Sequence, residues 1–234
     1  MRIIAIVLAG GAGKRMGAPT NKQFLLLDNK PIIAHTLQVF EECKPVDGVY
    51  LVVNQKDLPV IQEEILEQYR FNKVIKLVIG GRLRQDSVKN GLDAIENPCD
   101  IVIIHDGARP FITPSFIEKG IYLMEMFDAI IPALPVKETI KVISKEGFVL
   151  KTLDRDSLWQ VQTPQTFKYE LIVKAYREGM AKKLYGYDDA TFIESIGKKI
   201  KVIEGSPYNI KITTPEDLIM ARGILSELRG SFNQ

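Results

Sequence analysis

The chain begins with an apolar run, Ile3-Ile4-Ala5-Ile6-Val7-Leu8, that passes directly into Ala9-Gly10-Gly11-Ala12-Gly13-Lys14-Arg15. An uninterrupted apolar run is typical of a strand that is buried on both faces, as strands of parallel sheets are. The glycines that follow let the main chain approach oxygen atoms that a Cβ would block, and Lys14, Arg15 and Lys22 add positive charge. A strand that ends in such a loop presents backbone N–H groups to phosphate. The segment therefore predicts a nucleotide site at the end of the first strand.

The rest of the chain alternates between strand-like and helix-like segments. Further apolar, β-rich runs occur at Val49–Val53, Val74–Ile79, Ile101–Ile104, Ala129–Ala133 and Lys201–Ile203. Between them, apolar residues recur at the spacing of a helix. The last predicted helix begins at Thr214-Pro215-Glu216-Asp217, which supplies an N-cap, a first-turn proline and acidic residues near the positive end of the helix dipole. This alternation predicts a three-layer α/β/α, Rossmann-like sandwich around a mostly parallel sheet.

Residues 136–159 break this rhythm. Thr139-Ile140-Lys141-Val142 and the run from Phe148 to Leu153 flank Lys145-Glu146-Gly147, a pattern that predicts a β-hairpin with glycine in its turn. A two-stranded ribbon is marginally stable alone in water. We therefore expect a protruding arm that packs against a second copy of the protein.

Composition argues against several classes of function. The chain has 234 residues, enough for one large α/β domain and short for two. Its 31 basic and 29 acidic residues provide no field suited to wrapping nucleic acid. No stretch approaches the roughly 18 apolar residues of a membrane span, and the N-terminal run ends in glycines instead of a cleavage site. We expect one cytosolic domain, residues 1–234, with neither nucleic-acid nor membrane partners.

The cysteines and histidines show no metal-ligand spacing. Cys43 and Cys99 lie far apart, and His35 and His105 add no pattern to them. Reduced core thiols are the expectation, with a disulfide as the alternative. We interpret His105 as a hydrogen-bonded structural residue instead of a catalytic base.

The glycine loop matches neither common phosphate-binding motif. It is not a Walker A motif, because Arg15 follows Lys14, and it is not a dinucleotide fingerprint, because Met16 stands where a third glycine would be needed. A nicotinamide-dependent oxidoreductase would also need an acidic residue after the second strand, where Asn54 stands. A loop of about 20 residues is usually functional.

A second candidate site follows the run Ile101–Ile104, at His105-Asp106-Gly107-Ala108-Arg109-Pro110. A carboxylate just past a buried parallel strand lies in the crevice where open α/β sheets bind ligands. Asp106 is therefore a candidate ligand for the Mg²⁺ of a triphosphate, and Arg109 offers a fork for phosphate. The alternative for Asp106 is a helix cap or a salt bridge to Arg109.

Three further segments each have a functional and a structural interpretation, and the two are balanced only for the first. The turn Gly80-Gly81-Arg82-Leu83-Arg84-Gln85-Asp86-Ser87 either admits a base or ribose that hydrogen-bonds Ser87, or is a strand-to-helix turn capped by Asp86. Arg155 lies between two acidic residues, a pattern typical of a surface ion pair. Lys211 is predicted on a strand that leads to the capped helix, where its alternative role is that of an exposed edge lysine.

Together these segments resemble the 2-C-methyl-D-erythritol 4-phosphate cytidylyltransferases, enzymes of the non-mevalonate isoprenoid pathway. The resemblance covers nearly the whole chain. It rests on the glycine loop with Arg15 and Lys22-Gln23, Asp106-Gly107-Ala108-Arg109-Pro110, Pro135-Val136-Lys137-Glu138-Thr139, Asp154-Arg155, Leu158-Trp159, Gln162-Thr163-Pro164-Gln165 and Asn209-Ile210-Lys211. Tyr187 and Arg82 depart from the pattern, since a smaller hydroxyl residue and an acidic residue occupy these positions in some relatives.

The resemblance implies a nucleotidyltransferase fold that transfers a cytidylyl group from CTP to 2-C-methyl-D-erythritol 4-phosphate, a small polyol phosphate. The substrate phosphate would attack the CTP α-phosphate in line, giving 4-diphosphocytidyl-2-C-methyl-D-erythritol and pyrophosphate. The residues implied as catalytic are Arg15, Lys22, Arg155 and Lys211. Those implied at CTP are Ala9, Gly10, Gly11, Gly13, Arg15, Lys22, Gly81, Arg82, Ser87, Asp106 and Gly107. Those implied at the polyol phosphate are Asp106, Arg109, Thr139, Arg155, Thr163 and Lys211.

The resemblance also implies a metal and a partner. Mg²⁺ or another divalent cation is expected, held mainly by the triphosphate with Asp106 as its protein ligand. A homodimer through arm exchange is expected, with Thr139 and Arg155 serving the active site of the neighbouring subunit. The alternatives are a ribitol 5-phosphate cytidylyltransferase, a sugar-1-phosphate nucleotidyltransferase and a non-catalytic nucleotide-sensing module.

Overall fold

The computed structural model of the protein describes residues 1–11 and 22–231. Its centre is a mixed, mostly parallel sheet with helices on both faces. Its strands are β1 (Ile3–Leu8), β4 (Gly48–Val53), β5 (Val74–Ile79), β6 (Ile101–Asp106), β7 (Ala129–Pro135), β10 (Trp159–Val161), β11 (Gln165–Lys168) and β12 (Lys201–Glu204). Two two-stranded ribbons lie outside it, one formed by β2 (Leu26–Leu27) with β3 (Lys30–Pro31) and one by β8 (Lys141–Ile143) with β9 (Val149–Thr152).

The helices alternate with these strands. They are α1 (Ile32–Glu42), α2 (Leu58–Val60, which continues as a π-helical turn over Ile61–Glu67), α3 (Arg84–Asp93), α4 (Pro114–Leu123), α5 (Tyr169–Ala181), α6 (Ala190–Ser195) and α7 (Pro215–Ser231). Short 3₁₀ turns occupy Lys22–Phe24, Gln55–Asp57 and Arg155–Ser157. Among the residues described here, no helix has the length and apolar character needed to cross a membrane.

The strands of the main sheet run in the order β10-β7-β11-β6-β1-β4-β5, and β12 pairs with β7. Strand β1 is parallel to both β4 and β6, and Leu8 lies opposite Asp106. Strand β11 is antiparallel to β6 and β7 and lies between them. This antiparallel insertion is the main departure from the purely alternating pattern.

Apolar residues of β1 alternate between two cores, as expected for a strand covered on both faces. Ile3, Ala5 and Val7 pack in a cluster with residues of α1 and α4. Residues 4, 6 and 8 pack in the opposite cluster with residues of α3, α5 and α6. The predicted three-layer architecture is therefore confirmed. Cys43 and Cys99 are buried and free, as expected for reduced core thiols.

All six predicted strands are present, and one boundary matters for the site. The sixth strand extends beyond Ile104 through Asp106, so that His105 and Asp106 belong to β6 itself. The predicted cap of α7 is also present, because the backbone N–H of Asp217 donates to Thr214 Oγ1 at 3.4 Å. One placement was wrong: Lys211 lies in an irregular segment between β12 and α7, not on a strand.

The predicted hairpin is the ribbon of β8 and β9. Gly147, in its turn, has a φ of +89°, a left-handed conformation that favours glycine. Every residue of β9 is exposed. The ribbon therefore leaves apolar side chains uncovered within one chain.

Candidate active site

The candidate site lies at the carboxyl end of the parallel strands, centred on Asp106. Its Oδ2 lies 2.8 Å from Lys211 Nζ and 3.6 Å from Arg109 Nε, and its Oδ1 lies 3.2 Å from Arg84 Nε. Arg84 comes from the first residue of α3, Arg109 from the turn after β6, and Lys211 from the segment before α7. Three cations that are distant in sequence thus converge on one carboxylate.

Asp106 is only 7% exposed, yet it is a carboxylate at neutral pH. Burial by itself raises the pKa of the Asp106 carboxyl, and the charges of Arg84, Lys211 and Arg109 outweigh it and hold that pKa well below its usual range. The salt bridge to Arg109, which the sequence left as an alternative role for Asp106, is therefore one part of a larger cluster.

A hydrogen-bond chain fixes the turn after β6. The backbone N–H of Asp106 donates to Thr163 Oγ1 at 3.0 Å, and Thr163 Oγ1 lies 3.1 Å from His105 Nδ1. The Arg109 carbonyl can only accept, so Nε2 carries the proton of the neutral ring and Nδ1 is the acceptor; we therefore assign the Thr163 hydroxyl proton to His105 Nδ1. His105 Nε2 then donates to the Arg109 carbonyl at 3.1 Å. The imidazole is neutral in this chain, and burial lowers the pKa of His105 to about 4. His105 is a structural residue, as predicted.

Asn209 attaches the Lys211 segment to the same turn. Its side-chain Nδ2 donates to the backbone carbonyl of Thr163 at 2.8 Å, and the backbone carbonyl of Asn209 accepts from Arg109 Nη1 at 2.7 Å. The backbone N–H of Ile212 donates to the Ala108 carbonyl at 2.9 Å. These bonds on both sides of Lys211 place its side chain over Asp106.

A cavity of about 410 Å³ opens beside this cluster, and we call it the Asp106 cavity. It brings together four of the predicted site residues: Asp106, Arg109, Thr163 and Lys211. Tyr187, one of the two departures noted in the sequence, also lines it and is 87% exposed. Lining residues outside the predicted site lists are Arg84, Ile131, Val161, Gln162, Gln165, Asp188 and Glu194, of which Gln162 and Gln165 belong to the motif around Thr163.

Arg84 is the cation of the Asp106 cluster that sequence analysis missed. Its Nη1 and Nη2 donate to Asp189 Oδ1 and Oδ2 at 3.1 and 2.8 Å, while its Nε faces Asp106. The sequence feature that could have indicated Arg84 was its position in the turn of residues 80–87. Its partners Asp106 and Asp189 are both distant from it in sequence.

The predicted CTP turn is closed upon itself. Ser87 Oγ accepts from the Gly81 backbone N–H at 3.0 Å and donates to the Leu83 carbonyl at 3.2 Å. Asp86 accepts from the Leu83 N–H at 3.0 Å, which is the capping role foreseen as an alternative. A Cβ on Gly81 would lie 2.3 Å from Asp86 Cβ, so the turn requires glycine there. The side chain of Arg82 is exposed.

The other predicted residues at CTP lie at the ends of β1 and β6. Ala9 and Gly10 follow β1, and Gly107 follows β6. A Cβ on Gly11 would meet no atom of residues 1–11 and 22–231 within 4 Å. A Cβ on Gly107 would lie 2.7 Å from Ile33 Cδ1 and 2.9 Å from the Leu8 carbonyl, so the two strand ends approach closely there.

The remaining candidates divide into two groups. Gly13 and Arg15 lie outside the described residues, as does the side chain of Lys22. Thr139 and Arg155 lie on the exposed arm region, where Arg155 Nη1 donates to the Lys137 carbonyl at 3.2 Å. Neither of these two residues lines the Asp106 cavity of its own chain.

Asp106 is the residue through which the site could hold a divalent cation. Within residues 1–11 and 22–231, no cluster of three or more carboxylate, imidazole or thiol groups is suited to hold a metal. Asp106 offers a single carboxylate whose oxygens already face cations. Such a site suits Mg²⁺ that is bound by one carboxylate and several phosphate oxygens.

Comparison with known proteins decides the family. The family model described as 2-C-methyl-D-erythritol 4-phosphate cytidylyltransferase (IspD) matches residues 3–227. A protein of that name from Alkaliphilus oremlandii is 48% identical over 224 residues, which cover 96% of this chain and 95% of the relative. The chain belongs to the 2-C-methyl-D-erythritol 4-phosphate cytidylyltransferase family.

Solved structures agree with this membership. A 4-diphosphocytidyl-2C-methyl-D-erythritol synthase from Anaerococcus prevotii superposes with a TM-score of 0.84 at 32% identity, covering 96% of each chain. The Francisella tularensis 2-C-methyl-D-erythritol 4-phosphate cytidylyltransferase superposes with a TM-score of 0.82 at 29% identity, covering 96% of this chain and 100% of that one. The resemblance inferred from the sequence motifs and the nucleotidyltransferase fold are both confirmed.

Proposed function

We propose that the protein transfers a cytidylyl group from CTP to 2-C-methyl-D-erythritol 4-phosphate, giving 4-diphosphocytidyl-2-C-methyl-D-erythritol and pyrophosphate. The observation that carries this proposal is the convergence of Lys211 and Arg109 at the end of β6, beside a cavity, in a chain of this family. The relatives cited above are methylerythritol phosphate enzymes, so the ribitol 5-phosphate alternative is not favoured.

The chemistry needs charge neutralisation more than proton transfer. A phosphate monoester has its second pKa near 6 and is largely a dianion at neutral pH, so it attacks without a general base. The obstacle is repulsion between this dianion and the triphosphate. Cations that the fold holds beside the cavity before the substrates arrive lower this barrier, because little reorganisation is then needed.

Each cation has a proposed place in this reaction. Lys211 has the most exposed side chain of the cations around Asp106, at 36% against 26% for Arg84 and 12% for Arg109. We assign Lys211 to the phosphate of the second substrate, with Arg109 behind it and Thr163 at the cavity wall. Arg15 and Lys22 are assigned to the α-phosphate of CTP. The glycines at the ends of β1 and β6, the turn of Gly81, Arg82 and Ser87, and Asp106 are assigned to CTP.

Asp106 would hold Mg²⁺ together with the phosphate oxygens of CTP. The cation would neutralise part of the triphosphate charge when it is bound.

The arm is proposed to complete the active site of a second copy in a homodimer. Its apolar side chains are exposed within one chain, with Phe148 at 73%, Leu150 at 64% and Val149 at 59%. Burial of such a surface is favourable at about 25 cal/mol per Å² of apolar area. Thr139 and Arg155, which lie at the base of this arm, would then reach the polyol phosphate of the partner. We also propose that residues 1–234 form a single domain and that the protein is cytosolic.

The test is turnover. The protein is incubated with CTP, Mg²⁺ and 2-C-methyl-D-erythritol 4-phosphate, and pyrophosphate release is followed, with ribitol 5-phosphate as the competing acceptor. We expect pyrophosphate release that depends on the methylerythritol substrate and is little reduced by ribitol 5-phosphate. No release at micromolar enzyme would reject the proposal, and preferential use of ribitol 5-phosphate would reassign the substrate.

A further inference from the structure

Arg84 occupies an unusual position, because its guanidinium bridges two carboxylates from different parts of the fold. Nε faces Asp106 Oδ1 at 3.2 Å, and the two terminal nitrogens form a fork to Asp189 at 3.1 and 2.8 Å. Such bidentate contacts fix the orientation of an arginine as well as its charge.

The Asp189 end of this bridge is rigid. Asp189 is fully buried, and its Oδ1 also accepts from the Tyr176 hydroxyl at 2.6 Å. The Tyr176 ring stacks on Phe192 with centroids 4.0 Å apart. The backbone N–H of Asp189 donates to Gln165 Oε1 at 3.2 Å, which ties it to β11. Arg84 is therefore held in place by groups that have no part in the proposed chemistry.

The Asp106 end is shared with a more mobile cation. Arg84 faces Oδ1 of Asp106, whereas Lys211 faces Oδ2 at 2.8 Å. A lysine carries its charge on a flexible side chain, whereas the guanidinium of Arg84 is held in one orientation by its two bonds to Asp189. When a phosphate enters the Asp106 cavity, Lys211 can turn toward it while Arg84 still compensates the buried carboxylate.

We propose that Arg84 is a positioning residue: it compensates Asp106 from the opposite oxygen and so allows Lys211 to leave Asp106 for the phosphate of the polyol substrate. This inference rests on the proposed function. A buried carboxylate that loses a partner retains its remaining partners more strongly, because an uncompensated buried charge is costly. Without Arg84, and with no Mg²⁺ on Asp106, the phosphate would have to compete with Asp106 for Lys211.

The experiment uses steady-state kinetics of the purified full-length protein with both substrates varied. In Arg84→Met we expect the KM for 2-C-methyl-D-erythritol 4-phosphate to rise about tenfold, equivalent to about 1.4 kcal/mol of lost binding, and several times more than the KM for CTP. Arg84→Lys, which keeps the charge and loses the fork, should give values between those of Arg84→Met and the wild type. Lys89→Met is the matched control, because Lys89 lies on the same helix in an exposed pair with Asp93; its KM values should equal those of the wild type.

A double-mutant cycle separates positioning from a merely structural role. In an Asp106→Asn background there is no carboxylate to retain Lys211, so adding Arg84→Met should leave the KM for the polyol phosphate nearly unchanged. A purely structural Arg84 would raise that KM equally in both backgrounds and would overturn the inference. The Kd of the polyol phosphate, measured by calorimetry without CTP, should follow the same pattern.

The outcomes distinguish this inference from the proposed function. Absence of wild-type turnover would reject the function itself. Wild-type turnover together with an unchanged polyol phosphate KM in both Arg84→Met and Arg84→Lys would reject only the role of Arg84. If Arg84→Met does not fold, as judged by circular dichroism, Arg84→Lys and its cycle with Asp106→Asn decide the matter by the same criteria.

Discussion

Lowering the pH from about 7 to about 4.5 is expected to reduce the free energy of unfolding by about 2.5 kcal/mol through the buried imidazole of His105 alone. Burial lowers the pKa of His105 from 6.5 to about 4. Between these two values the unfolded chain binds a proton that the native protein does not bind. Stability from this group is therefore complete above about pH 6.5 and is lost as the pH falls toward 4.

The magnitude follows from the width of that interval. At about pH 4.5 the imidazole is almost fully protonated in the unfolded chain and mostly neutral in the native protein, which corresponds to about two pH units at about 1.4 kcal/mol each. The structure gives the reason for the neutral state. His105 Nδ1 accepts from Thr163 while Nε2 donates to the Arg109 carbonyl, and a second ring proton would leave two donors facing each other.

The assay is urea unfolding of the wild type and of His105→Asn at both pH values. Asparagine places an acceptor near the position of Nδ1 but does not titrate. The variant should be less stable at pH 7 and should lose most of the pH dependence of about 2.5 kcal/mol. Other titrating groups, including His35, are present in both proteins, so their effects cancel. An equal pH dependence in the two proteins would refute the neutral imidazole and the hydrogen-bond chain built on it.

Three further predictions address the site and the arm. Lys211→Met should lower kcat/KM for the polyol phosphate by about 10²-fold or more, measured by pyrophosphate release, since it removes the cation assigned to the substrate phosphate; a loss below about threefold would contradict its role. Arg155→Ala should raise the KM for the polyol phosphate more than that for CTP, and mixing it with Arg15→Ala subunits should restore part of the activity, whereas no rescue would argue against arm exchange. Gly107→Ala should destabilise the fold by about 1 to 3 kcal/mol in urea, because its Cβ would lie 2.7 Å from an isoleucine methyl; Gly223→Ala, on α7 with open space around it, is the control and should be neutral or stabilising.

The parallel strands were predictable because a strand that is buried on both faces consists of consecutive apolar residues, which the sequence shows directly. Ile3–Leu8 and Ile101–Ile104 are unbroken apolar runs, and the parallel strands beside them are also rich in apolar residues. Strand β11, Gln165–Lys168, is not an apolar run. It is short, and the side chains of Gln165 and Thr166 are buried polar groups. Gln165 is satisfied by Asp188 and by the start of α6, contacts that only the tertiary fold supplies.

The site itself was predictable in part for the same reason. Asp106 and Arg109 are three residues apart on one turn, so a local pattern places them together. Lys211 entered through its motif in the resemblance, and its placement on a strand was wrong because the segment is fixed by Asn209 and Ile212 instead of by sheet pairing. Arg84 was missed because its partner Asp189 lies 105 positions away, and no periodicity connects two such residues.

The cations around Asp106 are proposed to bind the phosphate of the second substrate. A crystal structure of the protein soaked with 2-C-methyl-D-erythritol 4-phosphate would show this contact itself. We expect the phosphate group in the Asp106 cavity, with an oxygen within hydrogen-bond distance of Lys211 Nζ and with Arg84 still bound to Asp106 and Asp189. A phosphate bound elsewhere, with Lys211 still paired to Asp106, would refute the proposed role of these cations.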